Sequence, residues 1–262
     1  MFLQVNTSDA WWGTNRQKRR EQAHWEKVRN AQTSYAIQLR KLARHVGELV
    51  SHYDPLTPQI IPQIEDLLNR YAWLIRPWAA STATKMIAEV ARRDETAWHQ
   101  HSAEIGRSLR QEVQKTPLGK ETKRIQNEQV QLITSIPLQT AQDIQKLVRE
   151  AYTKGERWET LVDQIHKKAS TMTRNRATLI ARTETSKVAS AIVQARAKHV
   201  GSTQYVWHTV RDQYVRQTHR ELEGTVQSWD DPPIAEAQGQ RHHPGEFPNC
   251  RCFAEPIVDH LV

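Results

Sequence analysis

The stretch "GSTQYVWHTVRDQYVRQTHRELEG" (residues 201–224) divides the chain into two kinds of sequence. The first 200 of the 262 residues hold five glycines and no sustained two-residue alternation, so helix is the expected state there. After Gly201, "STQYVWHT" alternates and is β-branched or aromatic at several positions, which reads as a strand. "RDQYVRQTHRELEG" returns to helical spacing and stops at Gly224. Residues 225–249 are rich in Pro, Gly and His and read as a long loop, and "RCFAEPIV" as a closing strand. The expected fold is a mainly α N-terminal region followed by a small α+β C-terminal domain. The boundaries are a helical region 1–115, a linker or helix 116–134, and a C-terminal unit 135–262.

Working back from Gly201, three helices are expected in the second half. Ser135 is placed to cap the first, with Pro137 in its opening turn; Ile144, Leu147, Val148 and Ala151 form its apolar face and Gly155 ends it. "ERWETLVDQIHKKA" repeats the spacing with Trp158, Leu161, Val162 and Ile165. "RNRATLIARTETSKVASAIVQARAKHVG" aligns Ala177, Ile180, Ala181, Val188, Ala191 and Ala195, a stripe of small residues that implies close helix approach. Glu184 lies on that stripe and must be paired there, and Arg182 points to a different face, so the partner comes from elsewhere. In the first half, residues 21–50 read as one long helix ending before Pro55, Pro58 and Pro62, and Pro77 marks a kink or break in helix 63–114. Six of the nine tryptophans (Trp11, Trp12, Trp25, Trp73, Trp78 and Trp98) fall here, as core or as an aromatic contact for another protein.

Formal net charge is +8, and the excess is uneven: +5 over residues 1–50, +6 over 151–200 and −4 over 201–262. A basic balance suits a polyanion such as double-stranded DNA, and "NRQKRR" (15–20) with Lys167, Lys168, Arg174 and Arg176 could touch phosphates; solvated helix faces explain them equally. Two cysteines cannot build a disulfide framework, so nothing indicates secretion. The N-terminus has no apolar run following a basic one, and no stretch approaches the ~20 apolar residues that cross a bilayer. The expectation is no membrane partner and a cytosolic setting or a compartment assembled from it. "TPLGKET" has too few glycines for a phosphate loop.

Both cysteines stand in "PNCRCF" (248–253). On a strand, C-x-C points both thiols to one face. That suits two ligands of one tetrahedral zinc, with His219 and one of His242 or His243 completing the set. Two packed or loop-tying thiols are the alternative, and a thiol nucleophile with His219 and Asp212 is a further one. Arg251 between them points the other way, toward Asp212, Glu184 or a phosphate.

Taken in order, these pieces resemble the phage Mu protein F-like domain of minor head, or head morphogenesis, proteins over residues 135–256. "SIP" with a helix ending at Gly155 comes first, and "LIARTETSKVASA" (179–191), with Arg182 and Glu184, follows. Next are Trp207, Thr209, Asp212, Arg216, His219, Leu222 and Gly224 of a W-x-T-x-x-D…R-x-x-H-x-x-L-x-G pattern, and finally Asn249, Cys250, Arg251 and Cys252 of P-x-N-C-R-C. "HHPGEFP" is longer and richer in His than the simplest pattern, which leaves the metal-ligand set open.

The resemblance implies a tailed-phage or prophage protein in the virion, at the portal vertex or capsid interior, and in the host cytoplasm during assembly. It implies roles in head assembly and in genome packaging or ejection, with portal protein and major capsid or scaffolding protein as partners. It implies no enzymatic activity, and no cofactor is expected beyond the structural zinc that the Cys–His pattern suits. A basic protein bound to the packaged genome is the second reading, and a thiol- or metal-dependent hydrolase the third.

Overall fold

The computed structural model describes residues 15–52, 60–102 and 115–258. Among the described residues, five long helices precede a small sheet: α1 (Asn15–Ser51), α2 (Ile60–Leu74), α3 (Arg76–Ser102), α4 (Gly119–Lys154) and α5 (Trp158–His199). Then come β1 (Gln204–His208), the short helix α6 (Gln217–Glu221), β2 (Val226–Ser228) and β3 (Phe253–Ile257). The mainly α region followed by a small α+β unit is therefore present. Trp11 and Trp12, and residues 103–114 of the expected helical region, lie outside the described residues. No helix among the described residues is long and apolar enough to cross a membrane.

The helices follow their apolar stripes. In α1, Ala31, Tyr35, Leu39, Leu42, Val46 and Val50 are buried at steps of three or four, one face of a 3.6-residue period. In α4 the buried face runs through Ile125, Gln129, Ile133, Ile136, Thr140, Ile144, Leu147 and Ala151. These faces meet the α5 stripe of Ala169, Ala177, Ala181 and Val188 in one core. Pro77 lies in the first turn of α3, where its missing N–H costs nothing, so the α2–α3 break falls as expected. Pro62, read as a breaker, instead sits in the first turn of α2 for the same reason.

Two helix boundaries differ from the sequence reading. Ser135 does not cap a helix: α4 starts at Gly119 and runs unbroken through Pro137, so the segment 116–134 is mostly helix. Ser135 Oγ instead donates to Leu132 O at 2.7 Å and Thr140 Oγ1 to Ile136 O at 2.9 Å, and Ile133 and Ile136 are fully buried on either side. Core packing outweighs the one backbone hydrogen bond that proline removes. Gly155 does end α4, at φ +64°, with Gly155 and Glu156 N–H returning to Tyr152 O and Ala151 O.

The two helices expected over 156–200 are a single helix of 42 residues, α5. The stretch between them stays helical because Ile165, Ala169, Thr173 and Ala177 carry one buried face across it, while Thr171, Thr173 and Thr178 turn their hydroxyls to the carbonyls four residues back. Thr173 Oγ1 also lies 3.0 Å from Thr140 Oγ1, tying α5 to α4.

The sheet is antiparallel with β1 in the centre, in the order β2-β1-β3. Tyr205 pairs with Gln227 and Pro256, and Trp207 with Ala254. Tyr205 and Trp207 share a face with Trp229, Ala235, Cys250 and Cys252, and Val193 and Ala197 of α5 and Trp98 of α3 close the same core. Helix α5 thus runs from the helical core into the second one. Beside the junction, Arg196 Nη1 bonds Asp94 Oδ2 at 2.9 Å, both side chains buried, and Nη2 bonds Ala91 O.

Three local expectations also change. Only Gln217–Glu221 is helical within 211–224; residues ahead of it turn through Arg211 at φ +53°, and Asp212 Oδ1 accepts the Tyr214 N–H. The loop 225–249 contains strand β2. The cysteines precede β3 rather than lying on it.

Candidate functional site

Trp207, fully buried on the central strand, sets the floor of the candidate site. Its indole meets the His219 ring edge-on, centroids 5.4 Å apart at 75°. His219 projects from α6, whose lead-in Arg216 has extended backbone, so the short helix turns its imidazole inward. His219 Nδ1 lies 3.5 Å from Cys250 Sγ and 3.4 Å from Cys252 Sγ. Its Nε2 lies 3.1 Å from Glu236 Oε1. The three ring and thiol groups are 1%, 2% and 6% exposed, so this cluster is sealed within the domain.

The turn before β3 is held against α5 by backbone contacts. Asn249, at φ +58°, donates its N–H to Thr183 Oγ1 at 3.2 Å. Gly245, at φ +89°, passes so close to α5 that a Cβ would stand 3.2 Å from Ser186 O and 3.3 Å from Cys252 O. Its N–H donates to Cys250 Sγ at 3.4 Å. The Thr and Ser of "IARTETS" therefore face the turn that carries the cysteines.

Electrostatically the two sulfurs are unequal. The hydrogen bond from Cys252 brings the Cys250 thiol down to about 4, against burial and with help from His219. The same bond and burial push the Cys252 thiol up. Burial disfavours charge on His219, yet the neighbouring Cys250 and Glu236 prevail and raise its pKa.

Two groups of ligand-bearing atoms, all within 4.8 Å of one another, share His219: one with Cys250 and Cys252, the other with Glu236 and His242. The expected Cys2His2 set is not assembled. His242 stands on the Glu236 side, its Nε2 buried without a hydrogen bond and 3.5 Å from Glu236 Oε1. His243 bonds Tyr205 Oη at 3.0 Å through Nδ1 and faces Gln194 through Nε2. The thiol–His219–Asp212 arrangement is not assembled either, because Glu236 stands behind His219 and Asp212 pairs with Arg251 at 2.5 Å and 2.7 Å. Arg251 thus meets Asp212, one of the partners the sequence offers it, and holds the Asp212 carboxyl below its usual range.

The remaining motif residues brace this arrangement. Arg216 donates to Pro248 O at 2.8 Å, lies 5.0 Å over Phe247 and faces Glu236 at 3.6 Å. Thr209 gives both N–H and O–H to Glu223 Oε2 at 2.6 Å. Gly224, at φ +74°, donates to Trp207 O at 2.8 Å, and Leu222 packs on the second core. Glu184 lies away from the thiols: its Oε2 accepts from Gln129, its Oε1 meets Lys187 at 3.0 Å, and Tyr35 Oη donates to Gln129 Oε1. Its partners do come from other positions than Arg182, which is exposed on α5.

Sequence reasoning missed Glu236, Gly245, Glu223 and His208. His208 contacts Glu255 at 2.8 Å and Glu223 at 3.4 Å. Burial opposes its charge, but the two carboxylates raise it to about 9, while His208, Thr209 and Arg211 hold Glu223 down to about 2 despite burial. The "ELEG" stretch offered a hint of Glu223; Glu236, inside an irregular loop, offered none.

Residues 142–255 match the model of the family described as Phage Mu protein F like protein. An uncharacterized protein of Haemophilus influenzae is 36% identical over 130 residues, which is 50% of this chain and 28% of the relative. The chain thus matches little more than a quarter of that relative's length. No solved structure matches the chain.

Proposed function

We propose, from the premise that residues 142–255 form a Phage Mu protein F-like domain, that the chain is a minor head protein of a tailed phage or prophage. It acts in head assembly, and in genome packaging or ejection, at the portal vertex or capsid interior. The observation that carries this reading is that the motif residues of the matched domain are spent on internal contacts. His219, Cys250, Cys252, Trp207 and Thr209 are all buried, and Asp212, Arg216 and Gly224 brace the turns around them. Such a domain is built for a shape that other proteins recognise, and the role is non-enzymatic.

The corner between α2 and α3 offers the partner surface. Trp73 and Leu74, at the end of α2, are 71% and 64% exposed, and Trp78, in the first turn of α3, is 37% exposed. Exposed tryptophan is enriched at protein interfaces, where it supplies much of the binding energy. The portal ring or the capsid inner face is its partner. Co-expression with the portal and purification of heads tests this: the wild-type chain is retained in heads, and a Trp73→Ala/Trp78→Ala variant that folds normally is lost. Equal retention of both would contradict the assignment of the surface, and absence of the wild-type chain from heads would contradict the function.

A second reading rests on α5, where Lys167, Lys168, Arg174 and Arg182 are exposed along one helix. A stripe of this kind suits the backbone of packaged DNA. Sequence-independent binding that weakens steeply with salt would favour it.

A further inference from the structure

We infer that His219 Nδ1, Cys250 Sγ and Cys252 Sγ hold one zinc ion, oriented from behind by Glu236, as a clip that fastens the turn before β3 onto α6. The inference stands apart from any role in phage heads. It rests on the dimensions of the cluster. Zinc–thiolate bonds of about 2.3 Å and zinc–imidazole bonds of about 2.0–2.1 Å at tetrahedral angles separate a nitrogen from a sulfur ligand by about 3.5 Å. The observed separations are 3.5 Å and 3.4 Å, so an ion fits between the three atoms with little rearrangement.

The surroundings supply what such an ion needs. Metal-bound histidine usually donates its other ring N–H to a carboxylate, which fixes the tautomer and strengthens the ligand. Glu236 Oε1 occupies that place, 3.1 Å from His219 Nε2, and Arg216 in turn faces Glu236 Oε2. The Gly245 N–H directed at Cys250 Sγ offsets thiolate charge, and only glycine fits there. Trp207 and His242 both pack edge-on to the imidazole, at 5.4 Å and 5.8 Å between centroids, and His242 is itself stacked on Phe247 at 5.0 Å. The cysteines bind as thiolates and release their protons to solvent.

Zinc is favoured at the thiol side of His219 over the Glu236–His242 side because soft thiolates select it, and because Arg216 already partners the Glu236 carboxylate. Three protein ligands leave one position of the tetrahedron for a water molecule.

The full chain, purified reduced and without chelators, should carry about one zinc per molecule by mass-spectrometric metal analysis. Cobalt replacing the zinc should give an intense thiolate-to-cobalt charge-transfer band, and Cys252→Ser should abolish it. Because that variant also alters a buried core side chain, Glu236→Gln provides the second measurement. It keeps both thiolates and should weaken zinc, in competition with a chromogenic chelator, by about 10–100-fold. Three results would overturn the inference: reduced protein that takes up neither zinc nor cobalt, cobalt bound without a thiolate band, or the two cysteines joined as a disulfide in freshly purified protein.

Discussion

The helical region and the small C-terminal unit are stabilised by different means. In α1 and α4 an apolar residue is buried at almost every third or fourth position, each worth about 1.5–3 kcal/mol for a large side chain. The strands are five, three and five residues long, and much of the C-terminal unit is irregular turn. Its interior mixes aromatic rings with His208, His219, His242, His243 and Glu236, all buried. Where regular elements are too short to bury much surface, specific polar contacts must define the turns. The helical part should therefore tolerate substitution of apolar residues by others of similar size, and the C-terminal part should depend on individual polar groups.

The sharpest way to break this contrast is at the joint. Asp94→Ala leaves Arg196 buried without its carboxylate at the point where α3, α5 and the second core meet, and should cost about 3–5 kcal/mol. Chemical denaturation should then resolve two transitions where the wild type shows one. A single transition with unchanged midpoint would mean that the joint is not needed.

Next in size is a pH effect confined to the C-terminal unit. His208 titrates near 9 in the fold against an ordinary 6.5, so its stabilisation is complete below 6.5 and disappears as pH rises to about 9. Glu223 titrates near 2 against 4.5, so its share is complete above 4.5 and disappears as pH falls toward 2. The combined share of these two groups should be flat between about 4.5 and 6.5, and the His208 share should fall by about 3 kcal/mol along the alkaline limb. His208→Gln should flatten that alkaline limb. A helical-region variant such as Thr140→Val should leave the pH profile alone and cost only about 1 kcal/mol, the worth of one buried hydroxyl contact to Thr173.

The same contrast governs what could be read from the sequence. The stripes of α1, α4 and α5 were legible because burial repeats at helical spacing, and β1 because "QYVWH" is aromatic and β-branched. The break expected at residues 170–173 was not real: Ala169, Thr173 and Ala177 continue one buried face, and the threonines there place their hydroxyls on carbonyls within the helix. Ser135 carried every mark of a cap, and only the buried neighbours of Pro137 explain why α4 continues through it. At the site, His219, Cys250 and Cys252 could be grouped from their order in the chain. Glu236 could not, because the irregular path of residues 229–249 decides which carboxylate reaches His219. The same path separates His242 and His243 from the thiols.

The central claim is that the His219–Cys250–Cys252 cluster holds the C-terminal unit together while the helices stand on their own packing. Hydrogen–deuterium exchange on the full-length chain, wild type against Cys252→Ser, tests it most directly. Exchange should quicken in β1, β3 and residues 242–252, with α1 and α4 unchanged. Exchange that is unaltered in the strands, or that rises equally in α1 and α4, would contradict it.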